Sequence, residues 1–212
     1  MSYFQRQAQV FPEDYLDDLQ KQIWACPYFV ENNLNRDFVG TKGFSVVFRR
    51  SHLALVSEQF PYFEPYLNRA LKPDCNAFYL NPLWLTSGSR VDPHIDRSLR
   101  SYCKTVDPPA VVSVLYVAVA ENLAGGDLIL RDRQRRVGQI RPQANTLIQF
   151  QGDLTHSIEP VINAASGRLS LVCEQYRLTD AELEEIPPFI LESRAVGNVK
   201  DVRASQKRKS RR

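Results

Sequence analysis

The first seventy residues alternate between apolar spacings of three and four and short interruptions, a helical texture. From Phe11 to about Trp24, Pro12 and two acidic residues open a segment in which Leu16, Leu19 and Ile23 share one face, which predicts an amphipathic helix. Residues 32 to 48 are mixed, with Gly40 and Gly43 marking turns and Phe44–Phe48 reading as a short strand. Helical spacing returns from Ala54 to Leu71, but Pro61 and Pro65 divide it into two short helices and Pro73 ends it. This third of the chain is predicted to be mostly helical.

Beyond Pro73 the pattern changes to short β-rich runs separated by turn residues. The runs are Asn76–Leu85, Arg90–Ile95, Ala110–Ala120, Asp127–Asp132, Arg136–Arg141, Thr146–Phe150, His156–Val161 and Arg168–Arg177. Eight such runs are the number of a jelly roll. Ala110–Ala120 is apolar on both faces and belongs between the barrel interior and the N-terminal helices. Thr179, followed by Glu182, caps a closing helix that Pro187-Pro188 stops. The expected fold is α+β, a double-stranded β-helix (jelly-roll, cupin-like) core with N-terminal helices packed on one sheet. The expected divisions of one domain are a helical support over 1–74, the core over 75–178, a C-terminal helix and extension over 179–199, and a basic disordered tail over 200–212.

Composition changes this picture little, with one exception. The chain has a net charge of +3, yet residues 200–212 hold seven of its 27 Lys and Arg and one of its 24 Asp and Glu. The remaining 199 residues hold 20 basic and 23 acidic groups, so the basicity belongs to the tail. Such a tail suits weak contact with nucleic acid or ribosomes, or is a solubilising segment with no dedicated partner. Four scattered cysteines form no zinc-site spacing and read as reduced thiols. No apolar run approaches the roughly 18 residues of a membrane span, and a cytoplasmic protein without membrane association is expected.

Candidate chemistry concentrates in Val91-Asp92-Pro93-His94-Ile95-Asp96. His94 and Asp96, two positions apart in an extended segment, lie on one face. A His from a distant strand completes a two-His, one-carboxylate facial set, which suits non-haem Fe(II) because it leaves coordination positions open. The chain has three His; His156 stands where that pattern wants it, and His52, among Arg49, Arg50 and Ser51, reads as a surface residue. Alternation in the last strand turns Arg168 and Ser170 to one face and Leu169, Leu171 and Cys173 to the other. A guanidinium facing the barrel interior requires an anionic partner, and the carboxylate of a bound organic acid supplies one. Tyr116 lies on an interior-capable strand and can add a phenolic donor; Tyr79 and Trp84 read mainly as packing residues. The polar segment Arg97–Pro109 has the length of a lid over such a site, and Arg97 and Arg100 on it either meet an anionic substrate or are solvated.

His94-Ile95-Asp96, His156 and Arg168-Leu169-Ser170, with Gly125-Gly126-Asp127-Leu128 between them, resemble the Fe(II)- and 2-oxoglutarate-dependent dioxygenases, especially the prolyl-4-hydroxylase-like branch. The likeness covers roughly residues 75 to 178. It implies that His94, Asp96 and His156 hold iron, that Arg168 grips the distal carboxylate of 2-oxoglutarate, and that Ser170 supports it. Tyr116 matches the position of a cosubstrate-binding Tyr in that branch, with Tyr79 its rival. The implied reaction consumes O2, decarboxylates 2-oxoglutarate to succinate and hydroxylates an unactivated carbon, with ascorbate an optional accessory. The implied substrate is a peptidyl residue; a free amino acid or other small metabolite, and a non-enzymatic cupin-like binding module, are the alternatives.

Overall fold

A computed structural model describes residues 2–32, 37–163 and 166–196 of the chain. In chain order the strands and helices are β1 (Phe4–Ala8), α1 (Glu13–Ala25), β2 (Val30–Asn32), β3 (Phe38–Gly43), β4 (Ser45–Arg49), α2 (Leu53–Gln59) and α3 (Glu64–Ala70). There follow β5 (Ala77–His94), β6 (Val111–Val119), β7 (Ala124–Gly125), β8 (Leu128–Asp132), β9 (Arg135–Ile140) and β10 (Thr146–Gln151). The last are β11 (Thr155–Ile158), β12 (Val161–Asn163), β13 (Arg168–Tyr176), α4 (Asp180–Glu185) and β14 (Phe189–Glu192). No helix among the described residues is long and apolar enough to cross a membrane.

The main sheet runs β1-β10-β6-β13-β5-β11-β8-β9, every pair antiparallel, with β3 and β4 also on β5 and with β2 and β14 beyond them. It is a mostly β architecture that wraps nearly into a barrel and fits the jelly roll. Strand β5 is the organiser. Its first half pairs with β13, Ala77 opposite Tyr176 through Leu85 opposite Arg168, and its second half pairs with β11, Val91 opposite Ile158 and His94 opposite His156. Gly88, at φ 86°, sits between the halves, where a strand must bend to serve two faces. The two runs Asn76–Leu85 and Arg90–Ile95 are thus one strand, because a glycine turn signal in a long strand also marks a bend.

Alternation on β13 sorts its side chains as expected. Leu169, Leu171 and Cys173 join Leu16, Leu19, Ile23, Phe63 and Leu67 of the N-terminal helices in one apolar core. Arg168, Ser170, Val172 and Glu174 occupy the other face; Arg168, Val172 and Glu174 line an interior cavity. Neighbouring β6 is buried on both faces: Leu115 and Val117 pack toward the helices, while Val112, Val114 and Tyr116 belong to the barrel core. Helices α2 and α3 are separated at Pro61–Phe63, and the Thr179–Glu182 capping box opens α4. The N-terminal third, however, is not mostly helical. Beside the expected strand at Phe44–Phe48, which is β4 on β5, it contributes β1 to one sheet edge and β3 to β5, short strands whose pairing is long-range. The basic tail lies outside the described residues.

The turn that delivers Arg168 is tight. Gly167 has φ +71°, and a Cβ there would lie 2.4 Å from the Leu85 carbonyl oxygen and 2.6 Å from the Trp84 indole nitrogen. Gly167→Ala is expected to cost about 1–3 kcal/mol through backbone strain, with the clash added to it. Urea unfolding of the two proteins checks this, and an unchanged midpoint would contradict it.

Candidate metal centre and cavity

His94 is the last residue of β5, Asp96 follows it, and His156 is the second residue of β11, directly opposite His94 in the antiparallel register. Register therefore brings together what the sequence separates. His94 Nε2 lies 3.2 Å from Asp96 Oδ1, and His156 Nε2 lies 3.4 Å from Asp96 Oδ2. One donor atom from each residue falls within 4.8 Å of the other two. The rings are braced by Phe38 beside His94 and Phe150 beside His156, and their own centroids are 4.4 Å apart.

The outer nitrogens decide which lone pairs face inward. His94 Nδ1 is 2.8 Å from the Asp92 carbonyl oxygen and His156 Nδ1 is 3.2 Å from that of Leu154. Each Nδ1–H donates to its carbonyl, which leaves Nε2 of a neutral ring as an electron-pair donor toward the cluster. His94 Nε2 and Asp96 Oδ2 are buried without a hydrogen-bond partner. Two imidazoles and one carboxylate converging from one side, with buried donor atoms unspent, fit a divalent first-row metal that keeps positions open.

Without metal the electrostatics favour a charged pair, protonated His94 beside ionised Asp96, whose proton a bound metal would displace. Burial raises the Asp96 carboxyl, but His156 and His94 outweigh it and hold Asp96 well below the usual carboxylate range. Burial lowers His94, but the Asp96 carboxylate overrides it and lifts the imidazole from 6.5 to about 9. Burial, aided by Asp96, pushes Glu174 from 4.5 up to about 8. The raised His94 stabilises the metal-free fold fully below about pH 6.5, and that contribution is lost as pH rises through about 9. The raised Glu174 acts in the same sense between about 4.5 and 8, and the lowered Asp96 contributes above about 3.8. Metal-free protein is therefore expected to lose stability from pH about 6 to about 9, whereas a bound divalent metal, which needs neutral imidazole, stabilises more over that interval. Urea midpoints with chelator and with saturating metal check both slopes; a rising midpoint in chelator would contradict the assignment.

The cluster opens into a cavity of about 720 Å³ that Arg168, Tyr116, Val114, Val172, Leu128 and Glu174 also line. Arg168 is 2% exposed; its Nη1 donates to the Gly126 carbonyl at 2.8 Å, and its Nε has no hydrogen-bond partner. The guanidinium lies 5.2 Å from the Tyr116 ring centroid. The Tyr116 and Ser170 hydroxyls are likewise buried and unpartnered. A cation and two hydroxyls buried with unused hydrogen-bonding capacity fit a small carboxylate. Tyr79 also lines the cavity but is committed elsewhere, its Oη accepting from Ser45 Oγ at 2.6 Å. Between the rival tyrosines, the open hydroxyl beside Arg168 is that of Tyr116.

Several features escaped the sequence. Gly125-Gly126 is more than a turn, since both residues have positive φ and the Gly126 carbonyl holds Arg168. The segment Arg97–Pro109 is a packed wall rather than a free polar lid: Leu99, Cys103 and Val106 are fully buried with Val47, Tyr176 and Ile186. Arg100 Nε is spent on the Val106 carbonyl at 2.7 Å, while the exposed Arg97 lines the cavity. Trp84 packs beside Trp24 and Lys42, away from the cavity lining. Glu174, Asn81 and Glu192 line the cavity unforeseen. A signal for Glu174 existed, since it stands four and six residues after Ser170 and Arg168 on the same strand face.

Among solved structures the fold is similar to that of a prolyl-4-hydroxylase from Pseudomonas putida, at 18% identity and TM-score 0.55, covering 84% of this chain and 95% of that one. It is similar to a prolyl hydroxylase from Trichoplax adhaerens solved in complex with a hypoxia inducible factor oxygen degradation domain peptide fragment, at 15% identity and TM-score 0.54, covering 86% of each chain. It is also similar to HygX from Streptomyces hygroscopicus, solved with nickel and 2-oxoglutarate bound, at 10% identity and TM-score 0.54, covering 82% of this chain and 83% of that one. No family model and no curated protein sequence matches the chain. The likeness establishes the fold, a jelly-roll double-stranded β-helix shared with 2-oxoglutarate-Fe(II) oxygenase structures.

Proposed function

We propose that the protein is an Fe(II)- and 2-oxoglutarate-dependent dioxygenase that hydroxylates an unactivated carbon, with release of succinate and CO2. The observation that carries this reading is the placement, in one cavity, of a convergent His94-Asp96-His156 set and a buried, incompletely satisfied Arg168-Ser170-Tyr116 end. Either alone has structural explanations; together they match a metal and a dicarboxylate bound side by side.

His94, Asp96 and His156 would hold the metal, and Arg168 with the Ser170 and Tyr116 hydroxyls would hold the far carboxylate of 2-oxoglutarate. When bound, metal and 2-oxoglutarate supply the activation of O2 and the oxidising power. The chain supplies the rest. The carbonyls of Asp92 and Leu154 keep the two imidazoles in the ligating tautomer. Val114, Leu128, Phe150 and Val172 line the cavity with apolar surface, which limits water around the reacting groups. Phe38, Arg97, Ser101, Glu192 and Arg194 line another part of the cavity, the part given to substrate. We assign that part to a residue within a peptide, a reading supported by the peptide complex of the Trichoplax structure.

Anaerobic titration of the purified chain with Fe(II) and then 2-oxoglutarate tests the reading. A weak visible metal-to-ligand charge-transfer band is expected, followed in air by succinate release. A folded protein that gives no band would overturn it.

A further inference from the structure

The cavity is chemically lopsided. Along the paired strands β5 and β13, Leu85 opposite Arg168 and Leu83 opposite Ser170 mark one end, and Asn81 opposite Val172 and Tyr79 opposite Glu174 mark the other. The Arg168 end offers hydrogen-bond donors. The Glu174 end offers acceptors. Glu174 is 4% exposed; its Oε1 accepts from Ser98 Oγ at 2.6 Å, and its Oε2 accepts from the Ser98 amide at 3.3 Å and from the Tyr176 hydroxyl. Those three bonds fix the carboxylate against the wall segment after Asp96 and leave one of its roughly four lone-pair sites open.

Two further acceptors face the same end. Asn81 is 8% exposed and spends its amide nitrogen on Ser45 Oγ at 3.3 Å, but its Oδ1 is buried with no partner. Glu192 lines the cavity with its Oε1 accepting from the Tyr102 hydroxyl. A buried carbonyl oxygen without a donor is costly, so a donor from outside the fold is called for. Burial and Asp96 keep Glu174 protonated up to about pH 8 in the free protein, so a cation bound beside it would displace that proton. With the Glu192 carboxylate and the ring of Tyr79 on the same lining, the end favours a positively charged donor. Arg97 and Arg194 also line the cavity, and both are solvent-exposed residues.

We propose that Asn81, Glu174 and Glu192 form a subsite for a cationic nitrogen, so that the substrate carries an ammonium or guanidinium group. The proposal rests on the oxygenase reading for the word substrate, and it sharpens that reading: a neutral prolyl ring would leave Asn81 Oδ1 unsatisfied, whereas a basic side chain would not. The same nitrogen can arrive on a peptide or on a free basic amino acid.

Calorimetric binding to the full, metal-free chain tests the subsite. The probes are N-acetyl-lysine and N-acetyl-arginine methylamides, free lysine and free arginine, each beside its neutral norleucine or citrulline counterpart. At least one cationic probe is expected to bind about tenfold or more tightly than its counterpart, the change that one hydrogen bond to a charged group produces. Preference among blocked probes identifies a peptide source, and preference only among the free ones a small molecule. Glu174→Gln should erase the preference; because that residue also braces the wall, Asn81→Leu and Glu192→Gln, each expected to reduce it, serve if the first variant fails to fold. Equal binding of charged and neutral probes, or a preference that survives the folded variants, overturns the subsite. The iron titration separates the two ideas: a charge-transfer band without cation preference sinks only the subsite, and cation preference without a band sinks only the oxygenase reading.

Discussion

Asp96→Ala is expected to abolish the Fe(II) and 2-oxoglutarate charge-transfer band and succinate formation while leaving the chain folded. The side chain lies between two imidazole nitrogens at 3.2 and 3.4 Å, and it is the one carboxylate of the convergent set. Outer-sphere partners of a metal typically account for about 10–100-fold in affinity, and a direct ligand should exceed that. Because Asp96 is ionised beside His94, its removal also withdraws the charge that lifts that imidazole. Metal titration followed by equilibrium dialysis is the direct measurement. Retention of stoichiometric iron at wild-type affinity by the variant would remove Asp96 from the ligand set.

Arg168→Met should act on the cosubstrate rather than the metal. Wild-type Arg168 is buried with one guanidinium nitrogen on the Gly126 carbonyl and another without a partner. Losing one side of a buried charge pair costs about 3–5 kcal/mol, so 2-oxoglutarate affinity should fall by roughly two to three and a half orders of magnitude. Iron binding in the absence of 2-oxoglutarate should be nearly unchanged. Arg168→Lys keeps the charge but not the planar fork and is expected to recover only part of the loss. A variant that loses iron and 2-oxoglutarate together would indicate collapse of the turn at Gly167, and one that loses neither would place the dicarboxylate elsewhere. The two substitutions thus separate metal from cosubstrate within one cavity.

Much of this site was legible because it is written in local periodicity. Two positions separate His94 from Asp96 and Arg168 from Ser170, and a period of two is what an extended backbone enforces. The apolar set Leu169, Leu171 and Cys173 told which face of β13 meets the helices, and so which face Arg168 shares with the cavity. Prolines at 61 and 65 and the Thr179–Glu182 cap likewise acted on their own neighbours. Each of these signals is a constraint between residues a few positions apart.

Tertiary structure decided the rest. The opposition of His156 to His94 depends on the register of β11 against β5, which no residue within either strand encodes alone. Strands β1, β3 and β14 are short and acquire their conformation from distant partners, so local texture concealed them, whereas β4 was legible as the apolar run Phe44–Phe48. Leu99, Cys103 and Val106, spread through a polar stretch, gave no periodic pattern, yet each is buried because Val47, Tyr176 and Ile186 converge on them. Glu174 was passed over because a carboxylate on a strand ordinarily points to water; here Ser98 and Tyr176 supply the donors that let it remain inside. Sequence alone determined which side chains share a strand face, because backbone geometry fixes that locally. Which of those faces meet around one cavity was set by long-range pairing and burial, which exist only once the chain has folded.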